Sequence, residues 1–144
     1  MSDVVDLGLP SGTLWCKYNL DVNPNQLTSA RDWYGGYYAW GEIDPKQKYT
    51  WDNYKFIHLN KLTKYNEEDK LTELLPEDDA AYQNKHIGNF KFHIPTKEQC
   101  EELINYTKNY WVNNYDPNKL IHNPEDDKGI QGLNGGVFEA KNGN

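Results

Sequence analysis

One segment, which begins after Ile94 and Pro95, constrains the fold more than any other part of the sequence. Thr96 and Gln99 have the spacing of a capping box, in which two side chains satisfy backbone N–H groups at the start of a helix. Mostly apolar side chains then recur at helical spacing, and glutamates precede a lysine along the segment, as the helix dipole favours. The sequence therefore predicts an amphipathic helix at about 96–111. The recurring side chains are Cys100, Leu103, Ile104, Thr107 and Trp111.

Short extended segments, separated by turn residues, make up most of the remaining sequence. Aromatic and β-branched residues favour strands, whereas Pro, Gly and Asn favour the turns between them, as at 9–12. Helical turns are expected at 28–34 and at 76–82, where a proline and three carboxylates suit the first turn of a helix. One clear helix among short antiparallel strands indicates an α+β fold. The predicted strands lie at about 14–18, 37–42, 49–56, 130–133 and 137–140.

The hydrophobic core of this chain must draw on aromatic rings, because aliphatic side chains are scarce. Hydrophobic residues make up 37% of the sequence, yet aromatic residues reach 14%, with 11 Tyr and 5 Trp. The mean hydropathy of −0.96 would indicate disorder in a chain with few aromatic residues. Each ring, however, buries a large area in a single side chain. We therefore expect a single folded domain over residues 1–144, with a core built on rings.

The charge balance argues against two classes of partner. The net charge is −7, from 22 acidic and 15 basic residues, and no stripe of Lys and Arg is present to neutralise phosphates. No stretch of sequence is long and apolar enough to span a bilayer, and the N-terminal residues do not form a secretory signal. We expect no nucleic-acid partner and no membrane insertion.

No sequence pattern indicates metal or catalytic chemistry. The histidines lack the paired spacing of metal ligands, and the motifs of nucleotide binding and of activated nucleophiles are missing. An acidic tetrapeptide occurs at 76–79 and again at 124–127, but neither copy has the alternating oxygen ligands of a calcium loop. We interpret them as a helix start and a solvated turn, and we expect no cofactor, no metal and no enzymatic activity. The histidines are His58, His86, His93 and His122.

The two cysteines, Cys16 and Cys100, have neither metal-ligand nor redox-motif spacing. Two buried thiols are the expected state, because a free cysteine usually behaves as a small core residue. A disulfide between them is the alternative that the sequence leaves open.

Three aromatic residues form the candidate ligand site. Tyr49, Trp51 and Tyr54 belong to a segment in which both faces carry rings, so some of these rings are expected at the surface. Exposed Tyr and Trp are rigid contact residues for proteins and sugars. The alternative, of similar weight, is that all three fill a core that is short of aliphatic side chains.

The stretches at 5–15, 34–42, 62–66, 76–81, 94–98 and 101–104 form a pattern that extends, in order, over most of the chain. Together they resemble the Fibrobacter succinogenes major paralogous domain family, which is common in Bacteroidota and their phages. The resemblance implies a C-type-lectin-like fold, akin to formylglycine-generating enzymes and to the variable proteins of diversity-generating retroelements. Members of the family are usually surface or virion binding modules.

Two departures from the family pattern affect this interpretation. Phe92 and His93 stand where the family usually has a Trp-Arg pair. The family also continues past the position of Asn144 with further strands, so the resemblance implies a truncated domain. The active cysteines of the enzyme relatives lie in that later region, and Cys16 and Cys100 do not replace them. Oxidase chemistry therefore does not carry over.

A truncated sheet would leave backbone N–H and C=O groups unpaired along its edge. Such an edge can be covered by refolding of the tail, by self-association, or by a strand accepted from a partner. The sequence places Val137, Phe138 and Ala140 at this predicted partner edge. The expected partners are other protein subunits, either further copies of the chain or virion proteins, and a surface glycan or receptor.

Three functions are consistent with these sequence features and with the family resemblance. The first is a bacteriophage virion component, such as a head-fibre, decoration or tail-associated protein, including one used in host adsorption. The alternative is a glycan- or protein-binding module on the surface of a Bacteroidota cell. The third is a phage inhibitor of a host defence protein. The first places the protein in the virion and the second at the cell surface.

Overall fold

A computed structural model describes residues 3–26, 30–115 and 133–141. The chain has mixed α and β structure and divides into two compact units. The split unit comprises Met1–Gly35 and Lys97–Asn144, and the central unit comprises Gly36–Thr96. None of the helices in the described ranges is long and apolar enough to cross a membrane.

The split unit contains two antiparallel strand pairs, a short 3-10 helix at Ala30–Trp33 and a longer α-helix. A tight turn closes the first pair, and in it the Gly12 amide donates to the Leu9 carbonyl at 2.9 Å, as the sequence predicts. The strands of this unit are β1 (Val4–Asp6), β2 (Leu14–Cys16), β7 (Thr107–Tyr115) and β8 (Leu133–Ala140), and its α-helix is α2 (Lys97–Tyr106).

Aliphatic side chains form the core of the split unit. Leu7 and Leu9, from the loop after β1, pack with Leu103 of α2 and Ala140 of β8. Trp15 packs against this cluster but is only partly buried. The expectation of a core built on rings is therefore wrong in this unit, because a few well-placed leucines fill it.

The helix predicted at 96–111 is shorter than expected. The structure begins α2 at Lys97 and ends it at Tyr106, and the chain then continues as β7. Thr107 is buried at this junction, and its hydroxyl donates to the Leu103 carbonyl. Tyr110, Trp111 and Val112 are residue types that favour a strand, and pairing with β8 satisfies backbone groups of this segment. The periodicity that includes Trp111 is thus coincidental.

The two short strands predicted around a turn at 134–136 are instead one strand. β8 runs through Gly135 and Gly136 and pairs with β7, where Gly136 lies opposite Trp111. A glycine opposite a bulky ring is compatible with a continuous strand, since it leaves space above the sheet. The remainder of the first predicted strand, 130–132, lies outside the described residues, as does the acidic repeat at 124–127.

The central unit is built from short elements. Two-residue strands form two antiparallel pairs, and 3-10 turns at Trp51–Asn53 and Pro76–Asp78 join the remaining loops. The 3-10 turn at Pro76–Asp78 and the helix after it confirm the helix start predicted at 76–82. The elements are β3 (Ile57–His58), β4 (Lys61–Leu62), α1 (Ala80–Asn84), β5 (His86–Ile87) and β6 (Phe90–Lys91).

The strands predicted at 37–42 and 49–56 are wrong, because both segments have irregular backbone apart from the 3-10 turn. The reason lies in two tyrosine hydroxyls from the second segment. The Tyr54 hydroxyl donates to the Trp40 carbonyl at 2.6 Å, and the Tyr49 hydroxyl donates to the Tyr37 carbonyl. Side chains thus bond backbone carbonyls that a neighbouring strand would otherwise pair.

Rings do form the core of the central unit. Phe56 is buried, and Tyr54 and Tyr65 pack edge-on against it, with ring centroids 6.0 and 5.5 Å away. Gly41 lies directly beside Phe56, at a position where an added Cβ would be 2.9 Å from the ring. The sequence-based expectation of an aromatic core therefore holds in this unit.

The cysteines differ from expectation. Cys16 is partly buried and Cys100 is exposed, and the two are not joined in a disulfide. Cys100 lies on the same face of α2 as the buried Leu103, but in the first turn of the helix, where its side chain stays exposed. The expectation of two buried thiols is wrong for this reason.

Asp79 connects α1 to the end of the central unit. Its Oδ1 accepts hydrogen bonds from the Ala81 and Tyr82 amides at 2.9 and 3.0 Å, which caps the helix. The same carboxylate accepts from the Ile94 amide, at 3.1 Å to Oδ1 and 2.9 Å to Oδ2. Asp79 is itself buried, so these amides would be left without solvent if it were removed.

Replacing Asp79 with alanine is expected to lower the free energy of unfolding by roughly 2–3 kcal/mol, through loss of the cap and exposure of an unpaired amide. Urea unfolding followed by circular dichroism measures this loss. Asp79→Asn is the matched comparison, because its amide oxygen can keep the helix-capping bonds from Ala81 and Tyr82 while its NH₂ group would face the Ile94 amide, and it should cost less, about 1 kcal/mol. Equal losses in the two variants would contradict this role.

Candidate functional site

The central unit contains an open groove of about 460 Å³ that is lined mainly by aromatic rings. We call it the aromatic groove. The loops around the 3-10 turn at Trp51–Asn53 supply one part of its lining, and the loop after β4 supplies another. The rings that line it belong to Trp40, Tyr49, Trp51, Tyr54 and Tyr65.

The structure brings the three predicted ligand residues together at this groove. Trp51 is 72% exposed and Tyr49 is 44% exposed, whereas Tyr54 is partly buried between the groove and the core. Trp40 adds a further exposed ring, at 46%. Surface exposure of at least two predicted rings argues against the alternative in which all three fill the core.

Hydrogen bonds to the protein fix the tyrosine rings. The Tyr49 hydroxyl accepts from the Lys46 amide at 2.9 Å while donating to the Tyr37 carbonyl. Burial raises the pKa of Tyr54, and the negative charges of Glu42 and Asp78 raise it further. Its hydroxyl therefore stays protonated and remains a donor to the Trp40 carbonyl.

Tyr65 joins the groove to a buried carboxylate. Its ring packs edge-on against Trp40, with centroids 4.7 Å apart. Its hydroxyl donates to Asp78 Oδ2 at 2.7 Å and accepts from the Leu75 amide at 3.0 Å. Burial raises the pKa of Tyr65, and hydrogen bonding to Asp78 acts in the same direction. The Tyr65 side chain is thus held both at its ring and at its hydroxyl.

Asp78 is the charged centre of the central unit and is only 2% exposed. It accepts from Lys55 at 3.2 Å and from Lys64 at 2.5 Å, in addition to Tyr65. Burial opposes its ionisation, but the hydrogen bonds from Lys64, Tyr65 and Lys55 outweigh that effect, so the pKa of Asp78 lies below its ordinary value. The hydrogen bond to Asp78 in turn raises the pKa of Lys64.

Lysine charges on the groove wall are neutralised by neighbouring groups. The Lys46 ammonium lies 2.8 Å from Glu42 Oε1 and donates to the Asn53 carbonyl and Oδ1 at 2.7 and 3.0 Å. These three contacts use all the N–H donors of one ammonium group. Lys64 is paired with Asp78 and lies 3.5 Å from Glu77.

Sequence reasoning missed Trp40, Tyr65 and Asp78. Trp40 and Tyr65 lie in stretches that carry the family resemblance, but no spacing in the sequence links them to the segment around Trp51. Asp78 belongs to an acidic tetrapeptide whose bland interpretation, a helix start, is correct for its backbone. Nothing in the sequence indicates that this one carboxylate is buried among two lysines and a tyrosine.

The predicted partner edge belongs to the split unit. Val137, Phe138 and Ala140 lie on β8 and pair with Tyr110, Asn109 and Thr107 of β7. Ala140 is buried in the core, while Phe138 is 41% exposed. Recruitment of another subunit at this strand stays a prediction.

Within residues 3–26, 30–115 and 133–141, no group of three or more His, Cys, Asp or Glu side chains has an arrangement that could hold a metal ion. His58, His86 and His93 are exposed, and His122 lies outside the described residues. The groove is therefore characterised by its rings and its internally paired charges.

Comparison with known proteins gives no relative for this chain. No protein-family model, no curated protein and no solved structure matches it. The resemblance to the Fibrobacter succinogenes major paralogous domain family, and the C-type-lectin-like fold that it implies, therefore stay predictions.

Proposed function

We propose that this chain is a non-enzymatic binding module and that the aromatic groove is its ligand site. The observation that supports this most strongly is the convergence of five rings on one open groove whose tyrosine hydroxyls and lysines are held by internal bonds. Rigid aromatic residues provide contact area at a small cost in conformational entropy. A ligand would therefore meet a surface that is already arranged.

The ionisation of the groove residues supports binding rather than catalysis. A general acid or base works best when its pKa lies near the working pH. The pKa of Asp78 lies below its ordinary value, and those of Tyr54 and Tyr65 lie above theirs. All three pKa values are therefore further from neutral pH than usual. These groups serve to fix the rings in place.

The biological setting of this binding activity follows from the family resemblance. We place the protein in a bacteriophage virion, as a head-fibre, decoration or tail-associated component, with the groove available to the host surface. A surface module of a Bacteroidota cell would use the same groove and is the second setting. The partner edge on β8 would attach the module to other subunits in either case.

Replacing Trp51 with alanine is expected to weaken binding by about tenfold or more, because exposed aromatic anchors dominate binding energies. The side chain is 72% exposed, so its removal should leave folding intact. Binding to a glycan microarray and to whole Bacteroidota cells measures the loss. Trp111→Ala is the matched control, since this 64% exposed tryptophan belongs to the split unit. Binding that survives in the Trp51 variant, or that falls equally in both, would contradict the proposal.

A further inference from the structure

We infer that the ligand of the aromatic groove is a neutral oligosaccharide. This inference rests on the proposed function, in which the groove is the binding site. It is carried by three properties of the groove: its size, its internally neutralised charges, and the direction in which its tyrosine hydroxyls donate.

The size of the groove suits a short chain of small units. Its volume of about 460 Å³ falls within the range of small-molecule sites, which is roughly 300–1,000 Å³. A stable protein–protein interface requires about 800 Å² of surface on each partner, which usually takes a broad face rather than a groove of this size. The ligand is therefore a small molecule or one segment of a polymer.

The charges of the groove favour an uncharged ligand. The Lys46 donors are occupied by Glu42 and Asn53, and Lys64 is paired with Asp78. An anionic ligand would have to compete with these carboxylates for the lysines, and a cationic ligand would have to compete with the lysines for the carboxylates. Both kinds of charged ligand would also lose hydration on entering a ring-lined site.

The hydrogen bonds of the groove favour a ligand that binds through an apolar face. The hydroxyls of Tyr49, Tyr54 and Tyr65 all donate to groups of the protein, so these residues present ring carbon to a ligand. A peptide would find none of these hydroxyls free to donate to its backbone carbonyls. A pyranose ring has one face of C–H groups, and its hydroxyls around the rim would stay in water on the open side of the groove.

Trp51 is the residue on which such a sugar ring would stack. It is the most exposed ring of the groove, and it packs edge-to-face with Tyr54 at a centroid distance of 5.8 Å and an angle of 88°. The hydroxyl bond from Tyr54 to the Trp40 carbonyl holds the supporting ring in place. Trp51 is therefore accessible to a ligand, and its ring is supported by the ring of Tyr54.

The test is calorimetric titration of the full chain with three probe classes of similar length. They are neutral hexasaccharides of glucan, mannan and galactan, the anionic hexagalacturonate, and a proline-rich decapeptide. The inference predicts binding of at least one neutral hexasaccharide, at least tenfold tighter than hexagalacturonate or the peptide. It also predicts that Trp51→Ala weakens this binding by about tenfold or more, while Trp111→Ala leaves it unchanged.

The outcomes separate this inference from the proposed function. If hexagalacturonate or the peptide binds more tightly, and this binding is lost in the Trp51 variant, the ligand is not a neutral oligosaccharide. The groove would still be the binding site. Failure of every neutral hexasaccharide to bind would also overturn it. Binding of a neutral hexasaccharide that persists in the Trp51 variant would overturn both the inference and the proposed site.

Discussion

Replacing Gly35 with alanine is expected to destabilise the protein by roughly 3–5 kcal/mol. Gly35 has a φ of +78°, a backbone conformation that costs an L-amino acid about 1–2 kcal/mol. A Cβ added there would lie 2.2 Å from the Leu20 carbonyl oxygen and 3.2 Å from Asn19 Cβ. The oxygen belongs to the backbone and cannot rotate away, so the chain itself must shift. A loss of this size is a large fraction of the stability of an ordinary domain.

Gly12→Ala separates the two causes of this loss. Gly12 has nearly the same φ, +76°, but nothing lies within 4 Å of an added Cβ. Its replacement should therefore cost only about 1–2 kcal/mol, from backbone strain alone. Urea unfolding of both variants, followed by circular dichroism, gives the difference. Equal losses in the two variants would show that the close approach of Gly35 to Leu20 is not present.

Asp78→Asn is expected to reduce the free energy of unfolding by roughly 3 kcal/mol at pH 7. Asparagine keeps the shape of the side chain but replaces one acceptor oxygen with an NH₂ donor. That donor would face the Lys55 ammonium if it replaced Oδ1, or the Lys64 ammonium and the Tyr65 hydroxyl if it replaced Oδ2. Because Tyr65 lines the aromatic groove, the variant should also bind ligand more weakly.

The effect of Asp78→Asn should depend on pH in a defined direction. The pKa of Asp78 in the folded protein lies below the ordinary value of 3.8, so its stabilisation is fully present above pH 3.8 and is lost as the pH falls through the folded-state pKa. The difference in unfolding free energy between wild type and variant should be constant from about pH 5 to 8 and should shrink below pH 3.8. Urea unfolding at pH 7, 5 and 3 measures it. A difference that grows at low pH would contradict the assignment.

The helix and the turns show how far local sequence determines this fold. The start of α2, the turn before Gly12 and the helix start near Pro76 depend on neighbouring residues, and they are predicted correctly. The end of α2 depends on a long-range partner, because β8 is needed to pair the strand that begins at Thr107. Helical periodicity in this segment cannot report that pairing.

The segments at 37–42 and 49–56 also show that local sequence is not sufficient, because strands are predicted there and none form. Their aromatic composition is typical of strands, yet hydroxyl-to-carbonyl bonds from Tyr49 and Tyr54 replace strand pairing. Tertiary contacts of this kind override intrinsic propensity. The same rings reach the surface where the sequence places the candidate site, since a segment with rings on both faces cannot bury them all.

The site is predictable only in part for a related reason. Tyr49, Trp51 and Tyr54 lie close together in the sequence, so one local pattern identifies them. Asp78 contributes through contacts with Lys55, Lys64 and Tyr65, which are 13 to 23 residues away. The role of Asp78 depends on its burial, which no pattern in the sequence indicates.

The most direct test of the groove as binding site is an NMR titration that follows the tryptophan indole N–H signals. The ¹⁵N-labelled chain would be titrated with the tightest-binding glycan from the microarray, after assignment by single Trp→Phe substitutions. We expect the signals of Trp40 and Trp51 to shift together with a common dissociation constant, while the signal of Trp111 stays in place. Shifts at Trp111 with Trp51 unmoved would contradict it.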